Sequence, residues 1–156
     1  YAATIHSAFF EDLQLAHVGS REHEANALGM SYRLVQVPMS VLLKTHTMAS
    51  VGDTIGFAKA LISNKDDTIL GFTAVGVQAG ELLPVVQLAM QKGLSYMDVA
   101  ELITALPTFN EGLTYLFNAV PLRTRNSRSH SARHRGTFHL FRATYIQEFT
   151  LDYNYL

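Results

Sequence analysis

The sequence predicts an α+β fold, an antiparallel β-sheet with helices packed on one face, and three observations carry that prediction. First, GFAKALIS (Gly56–Ser63) and TILGFTAVG (Thr68–Gly76) are strand-like runs joined by the polar turn NKDD, the pattern of a hairpin. Second, two blocks of helical period follow at once, Ala79–Gly93 and Ser95–Ile103. Third, Thr108 and Glu111 form a T-x-x-E helix start directly behind Pro107, and a proline there bars continuity with the preceding helix. Helices meeting at such a corner and lying on an antiparallel sheet give a layered α+β architecture.

Taken in order, Ile5–Phe10 and Leu15–Val18 are short apolar runs around EDLQ, and both suit strands. Ser20 suits an N-cap, with Glu22 and Glu24 in the first turn, where carboxylates favour the helix dipole. Gly29 fits the left-handed position after a helix ending near Leu28. YRLVQV (Tyr32–Val37) alternates as a strand does, and Pro38 ends it for want of a donor. Met39–Thr54 shows no period and reads as strand or loop.

In the hairpin, Ala58, Ala60 and Ile62 make an apolar face opposite Phe57, Lys59, Leu61 and Ser63. Ile69–Val75 is apolar on both faces, as expected of a strand in mid-sheet, with Gly71 and Gly76 marking a close approach or a bulge. Between Glu81 and Lys92 the residues Leu82, Val85, Val86, Ala89 and Met90 keep helical spacing. Pro84 is tolerable near the first turn, and Lys92-Gly93 ends the helix. Ser95 with Asp98 reads as a variant capping box ahead of Val99, Leu102 and Ile103.

Charge divides the chain. Up to residue 120, six Lys and Arg face eleven Asp and Glu, a net of −5; beyond it, six Arg face Glu148 and Asp152, a net of +4. The run RTRNSRSHSARHRG is too polar to offset chain entropy by burial, so residues 122–156 are expected to be a basic, disordered or loosely docked tail after a domain at 1–121. Phe149, Leu151, Tyr153 and Tyr155 alternate like a strand within it. The five arginines at 123, 125, 128, 133 and 135 could neutralise phosphates, so a binding module for nucleic acid or another acidic partner is the alternative reading. No nucleic-acid-binding motif accompanies them, and a solvated run is the simpler account. Arg charge around His130, His134 and His139 argues against a metal there.

The chain has no cysteine, hence no disulfide framework and no redox thiol. No apolar run reaches the roughly 18–20 residues that span a bilayer, so no membrane association is expected. Gly71, Gly76 and Gly80 follow a strand and precede a helix. Their spacing fits no phosphate-binding fingerprint, and sheet packing explains them. The chain opens at Tyr1 inside strand-like sequence and reads as a piece of something longer.

The pieces ILGFTAVGVQAGELLPVVQLAMQKGLSYMDV and PTFNEGL resemble the C-terminal dimerisation domain of the pyridine nucleotide–disulfide oxidoreductases, with the mercuric-reductase-like branch nearest in feel. AFFEDLQLAHVGSREHEA, with Val18, Gly19, Glu22 and Ala25 in a V-G-x-x-E-x-x-A pattern, is similar to that family's entry strands and first helix, so the resemblance covers about residues 4–121. It implies a homodimer, with Leu83, Val86, Gln87, Met90, Pro107 and Thr108 at the interface, and FAD and NAD(P) held by other domains of a longer parent. It also implies a cytoplasmic or mitochondrial-matrix location.

The family's late loop reads His-Pro-Thr-x-x-Glu-Gly, its His serving as acid/base and its Glu orienting the ring. Here Leu106 stands in the place of that His, before Pro107, Thr108, Glu111 and Gly112. The resemblance assigns Glu111 as the remaining catalytic partner and Leu106 and Pro107 as contacts to a partner's flavin. Without its histidine, Glu111 is better accounted for by a capping box, and an ordinary core or interface position accounts for Leu106 equally. With no G-x-G-x-x-G run and no cysteine pair, this chain alone is expected to bind no cofactor and to turn nothing over.

Overall fold

The computed structural model describes residues 6–10, by backbone alone, together with 13–42 and 55–123. The chain divides into two units, Tyr1–Arg123 and Thr124–Leu156; the expectations for the tail beyond Arg123, and for residues 43–54, lie outside the described residues. Five strands form one antiparallel sheet: β1 (His6–Phe10), β2 (Leu13–Gly19), β3 (Tyr32–Pro38), β4 (Gly56–Ser63) and β5 (Ile69–Gly76), in the order β1-β2-β5-β4-β3. The hairpin β4–β5 lies in mid-sheet, so a strand apolar on both faces is what β5 must be. The register slips once, between Leu61 and Ile62.

One sheet face is the floor of the core. Ala16, Val18, Val35, Ala58, Ala60, Ile62, Phe72 and Ala74 point into it from four strands, all buried. Over them lie α2 (Leu83–Lys92), α3 (Tyr96–Ala100) and α4 (Glu111–Asn118), which contribute Leu83, Val86, Ala89, Val99, Leu113, Leu116 and Phe117. The short α1 (Glu22–Ala27) flanks the sheet on the other side, where Glu22 accepts a 2.6 Å bond from Lys59 Nζ. On that side His17 is buried and bridges Thr73 Oγ1 (2.8 Å) and the Gly19 carbonyl (3.0 Å). A carbonyl only accepts, so Nε2 carries the proton that reaches Gly19.

Local chemistry explains most boundaries. Ser95 and Asp98 form the expected capping box on α3: Met97 N–H donates to Ser95 Oγ (3.1 Å) and Ser95 N–H to Asp98 Oδ2 (2.8 Å). A 3₁₀ turn at Ala79–Leu82 feeds α2, which places Pro84 in the first turn, and Gly93 (φ +63°) ends the helix. Gly71 is a close approach: a Cβ there would come within 2.0 Å of the Ser20 carbonyl oxygen.

Three expectations need correction. Arg21, not Ser20, is the N-cap of α1, because Ser20 N–H is committed to Leu70 O (2.9 Å) while Glu24 Oε2 accepts from Arg21 N–H (2.8 Å). The second helical block stops at Ala100 instead of Ile103. Val99 is buried and Ala100 packs on the core beside it, but Leu102 and Ile103 are exposed, and so short a helix cannot propagate on propensity alone. Thr108 does not cap α4: its hydroxyl donates back to Ala105 O (2.7 Å), and Asn110 is the N-cap.

Candidate functional site

The segment between α3 and α4 is where the expected site residues meet. From Glu101 to Pro107 no side chain is buried; Ile103 is fully exposed and Leu106 is 59% exposed. The Leu106–Pro107 peptide is cis. Residues 102–110 (LITALPTFN) contain no ionisable side chain, so the loop offers apolar contact and hydrogen bonds but no proton transfer. Beyond it Phe109 turns into the core.

Glu111 is the first residue of α4, not its third, and is 2% exposed. The reading as an N3 capping residue is thereby corrected, since a residue at the helix start has no N-cap three positions behind it to reach. The helix instead opens with short turns, Gly112 N–H to Phe109 O (2.9 Å) and Leu113 N–H to Asn110 O (3.1 Å). A carboxylate there lies at the favourable end of the helix dipole. Gly112 lets Leu42 close over this corner, as a Cβ would come 2.9 Å from Leu42 Cδ2.

The expected interface residues divide. Pro107 is exposed and Thr108 half-buried, both on the loop. Gln87 and Met90 are half-buried on α2. Leu83 and Val86 are buried in this chain's own core, because the phase set by the 3₁₀ turn points 82, 83, 86 and 89 inward; Val86 has no surface left to offer a partner. The outward apolar residue on α2 is Leu88, 55% exposed. Its one visible signal in the sequence is that it falls off the helical stripe. Arg33 was missed too. It is an ordinary member of an alternating strand, and nothing local announces its partners at Asp67 and Pro121.

Among the described residues no three His, Asp or Glu side chains group to hold a metal, and no helix is long and apolar enough to cross a membrane. Arg123, the first arginine of the basic run, lies 3.8 Å from Asp67; the other arginines of the nucleic-acid reading lie outside the described residues.

A five-stranded antiparallel sheet covered by helices, with an exposed loop between α3 and α4, defines an α+β domain. The family model described as "Pyridine nucleotide-disulphide oxidoreductase, dimerisation domain" matches residues 5–117, and the chain belongs to that family as its dimerisation domain. The pyridine nucleotide-disulfide oxidoreductase RclA of Escherichia coli is 30% identical over 106 residues, covering 68% of this chain and 23% of the relative. The mitochondrial dihydrolipoyl dehydrogenase of Schizosaccharomyces pombe is 34% identical over 98 residues, covering 63% and 19%. Among solved structures, the HOCl-induced flavoprotein disulfide reductase RclA from E. coli matches with TM-score 0.69 and 28% identity, over 74% of this chain and 26% of that one. LpdA from Mycobacterium tuberculosis shares the fold at TM-score 0.65 and 17% identity. The chain thus spans about a quarter or less of the length of these relatives.

Proposed function

We propose that this domain forms the homodimer interface of a longer oxidoreductase using FAD and NAD(P), and presents Leu106–Glu111 at the partner subunit's flavin site. The observation that carries the reading is the α3–α4 loop, which leaves Leu102, Ile103, Leu106 and Pro107 uncovered within the chain. Apolar side chains collected on one exposed segment are what an interface needs and solvent does not. Gln87, Leu88 and Met90 of α2 and Thr108 extend the contact, with Leu83 and Val86 packed behind them.

FAD, when bound, supplies the redox chemistry. Leu106 and Pro107 fit one wall of such a site: exposed, apolar and able to exclude water. The sequence has no phosphate-cradling glycine fingerprint, so the cofactors would be held by other domains. Glu111 keeps the place of a family carboxylate, but with Leu106 beside Pro107 this loop cannot carry the acid/base step. A cytoplasmic or mitochondrial-matrix location accompanies the reading, in keeping with relatives such as the S. pombe mitochondrial enzyme.

Size-exclusion chromatography with light scattering tests it: a dimer is expected, and a clean monomer at high concentration contradicts it. FAD added to this chain should give no stoichiometric yellow complex. In a full-length parent, Leu106→His should introduce a new titrating group in the pH–rate profile; an unaltered profile would remove the loop from the flavin site.

A further inference from the structure

Arg33, on the edge strand β3, is only 10% exposed in its side chain, and its guanidinium gathers three other parts of the chain. Nη2 pairs with Asp67 Oδ1 in the β4–β5 turn. Nη1 donates to the Pro121 carbonyl (3.0 Å), just beyond α4. The guanidinium carbon sits 5.5 Å from the centre of the Tyr96 ring, at the start of α3. Asp67 ties the same place down from below: its backbone carbonyl accepts from Tyr96 N–H (2.9 Å), and its second carboxylate oxygen lies 3.8 Å from Arg123 Nη1. Residues 96 and 121, the two ends of the excursion that carries α3, the exposed loop and α4, therefore close on one arginine–aspartate pair.

The two flanks of the loop are held unequally. Leu113, Leu116 and Phe117 seat α4 in the core, whereas α3 has five residues and buries only Val99. The loop from Glu101 to Pro107 buries nothing. Besides Val99, Ala100 packs on the core and Ser95 bridges to Thr68, but the contacts that tie α3 to charged groups converge on Tyr96, which meets the Asp67 carbonyl, the Arg33 guanidinium and the Phe117 ring at 6.4 Å. Charge-assisted, largely desolvated contacts of this kind are stronger than neutral ones. Lysine cannot reproduce them, having one point charge in place of a planar fork.

We propose that Arg33 is the positioning residue for α3 and the loop 101–107, fixing where Leu106 is presented through Asp67 and Tyr96 without touching it. The inference is independent of what Leu106 meets. Amide hydrogen exchange on the whole chain tests it. In Arg33→Met, exchange over residues 96–107 should accelerate about tenfold or more while Ile69–Val75 and Leu113–Phe117 keep their rates, because only the weakly packed unit is released. Arg33→Lys should fall between the two. Equal loss of protection in β5, α4 and the loop would mean a merely structural role and would overturn the proposal, as would a loop that does not change. If Arg33→Met fails to fold, Tyr96→Leu carries the test, since it leaves the Arg33–Asp67 pair intact. Acceleration of about threefold confined to 96–107 is then expected, and a uniform or absent change refutes the assignment.

Discussion

The floor of the core and the loop between α3 and α4 treat apolar residues in opposite ways. Around β5, Phe72, Ala74, Ile62, Val86 and Leu116 are enclosed within one chain. Fewer than forty residues downstream of Phe72, Leu102, Ile103 and Leu106 stand open to solvent. Both groups cost free energy in water, but only the first recovers it on folding. The difference teaches that fold and proposed function draw on separate surfaces: the core residues make the scaffold, and the loop residues stay exposed for the contact proposed above.

The largest effect should come from cutting into the core. Phe72→Ala empties the middle of the central strand and should cost about 3–5 kcal/mol, as buried Phe→Ala changes do. Urea denaturation checks this, and a loss below 1 kcal/mol would mean that β5 is not central. Gly71→Ala comes next. A methyl aimed at the Ser20 carbonyl at 2.0 Å must push β2 and β5 apart, for about 3 kcal/mol by the same assay.

Changes in the loop should reverse the pattern. Measured on the dissociated chain, Ile103→Ser with Leu106→Ser should move folding stability by no more than about 0.5 kcal/mol, as exposed substitutions do. Removing the α3 cap with Ser95→Ala lies between the extremes, at about 1 kcal/mol, read as faster exchange in residues 95–101.

The smallest effect is electrostatic. The Arg21 backbone N–H holds Glu24 below the usual carboxylate range, and the Ser63 and Thr68 side chains do the same for Asp66. A carboxylate with its pKa lowered on folding contributes stability above its unfolded pKa and loses it as pH falls through the folded one. A slight decline below about pH 4.5 is therefore expected, and Glu24→Gln should flatten part of it. Both groups are solvent-exposed, so the slope should be shallow.

Where structure follows from neighbours in sequence, it was legible. The β4–β5 hairpin announces itself by alternation around Asn64–Asp67, and the Ser95–Asp98 cap by its spacing. The corner between α3 and α4 was legible as a place in the fold, since Pro107 and Glu111 marked it, but not in its details. Thr108 looks like a cap until Ala105 takes its hydroxyl. Leu102 and Ile103 look like a helical face until α3 ends ahead of them. Arg33 could not be read at all, because its partners at Asp67, Tyr96 and Pro121 come together only through the completed sheet.

The central claim is that the uncovered loop exists to meet a second copy of this chain. Sedimentation velocity over a concentration series, on the wild type and on the Ile103→Ser, Leu106→Ser double variant, tests it most directly. The account predicts a wild-type species of twice 17.3 kDa whose dissociation constant rises about tenfold or more in the variant, as loss of interface anchors would give, while the far-UV circular dichroism of the variant stays that of the wild type. A wild type that stays monomeric, or a variant that dimerises equally well, would contradict it.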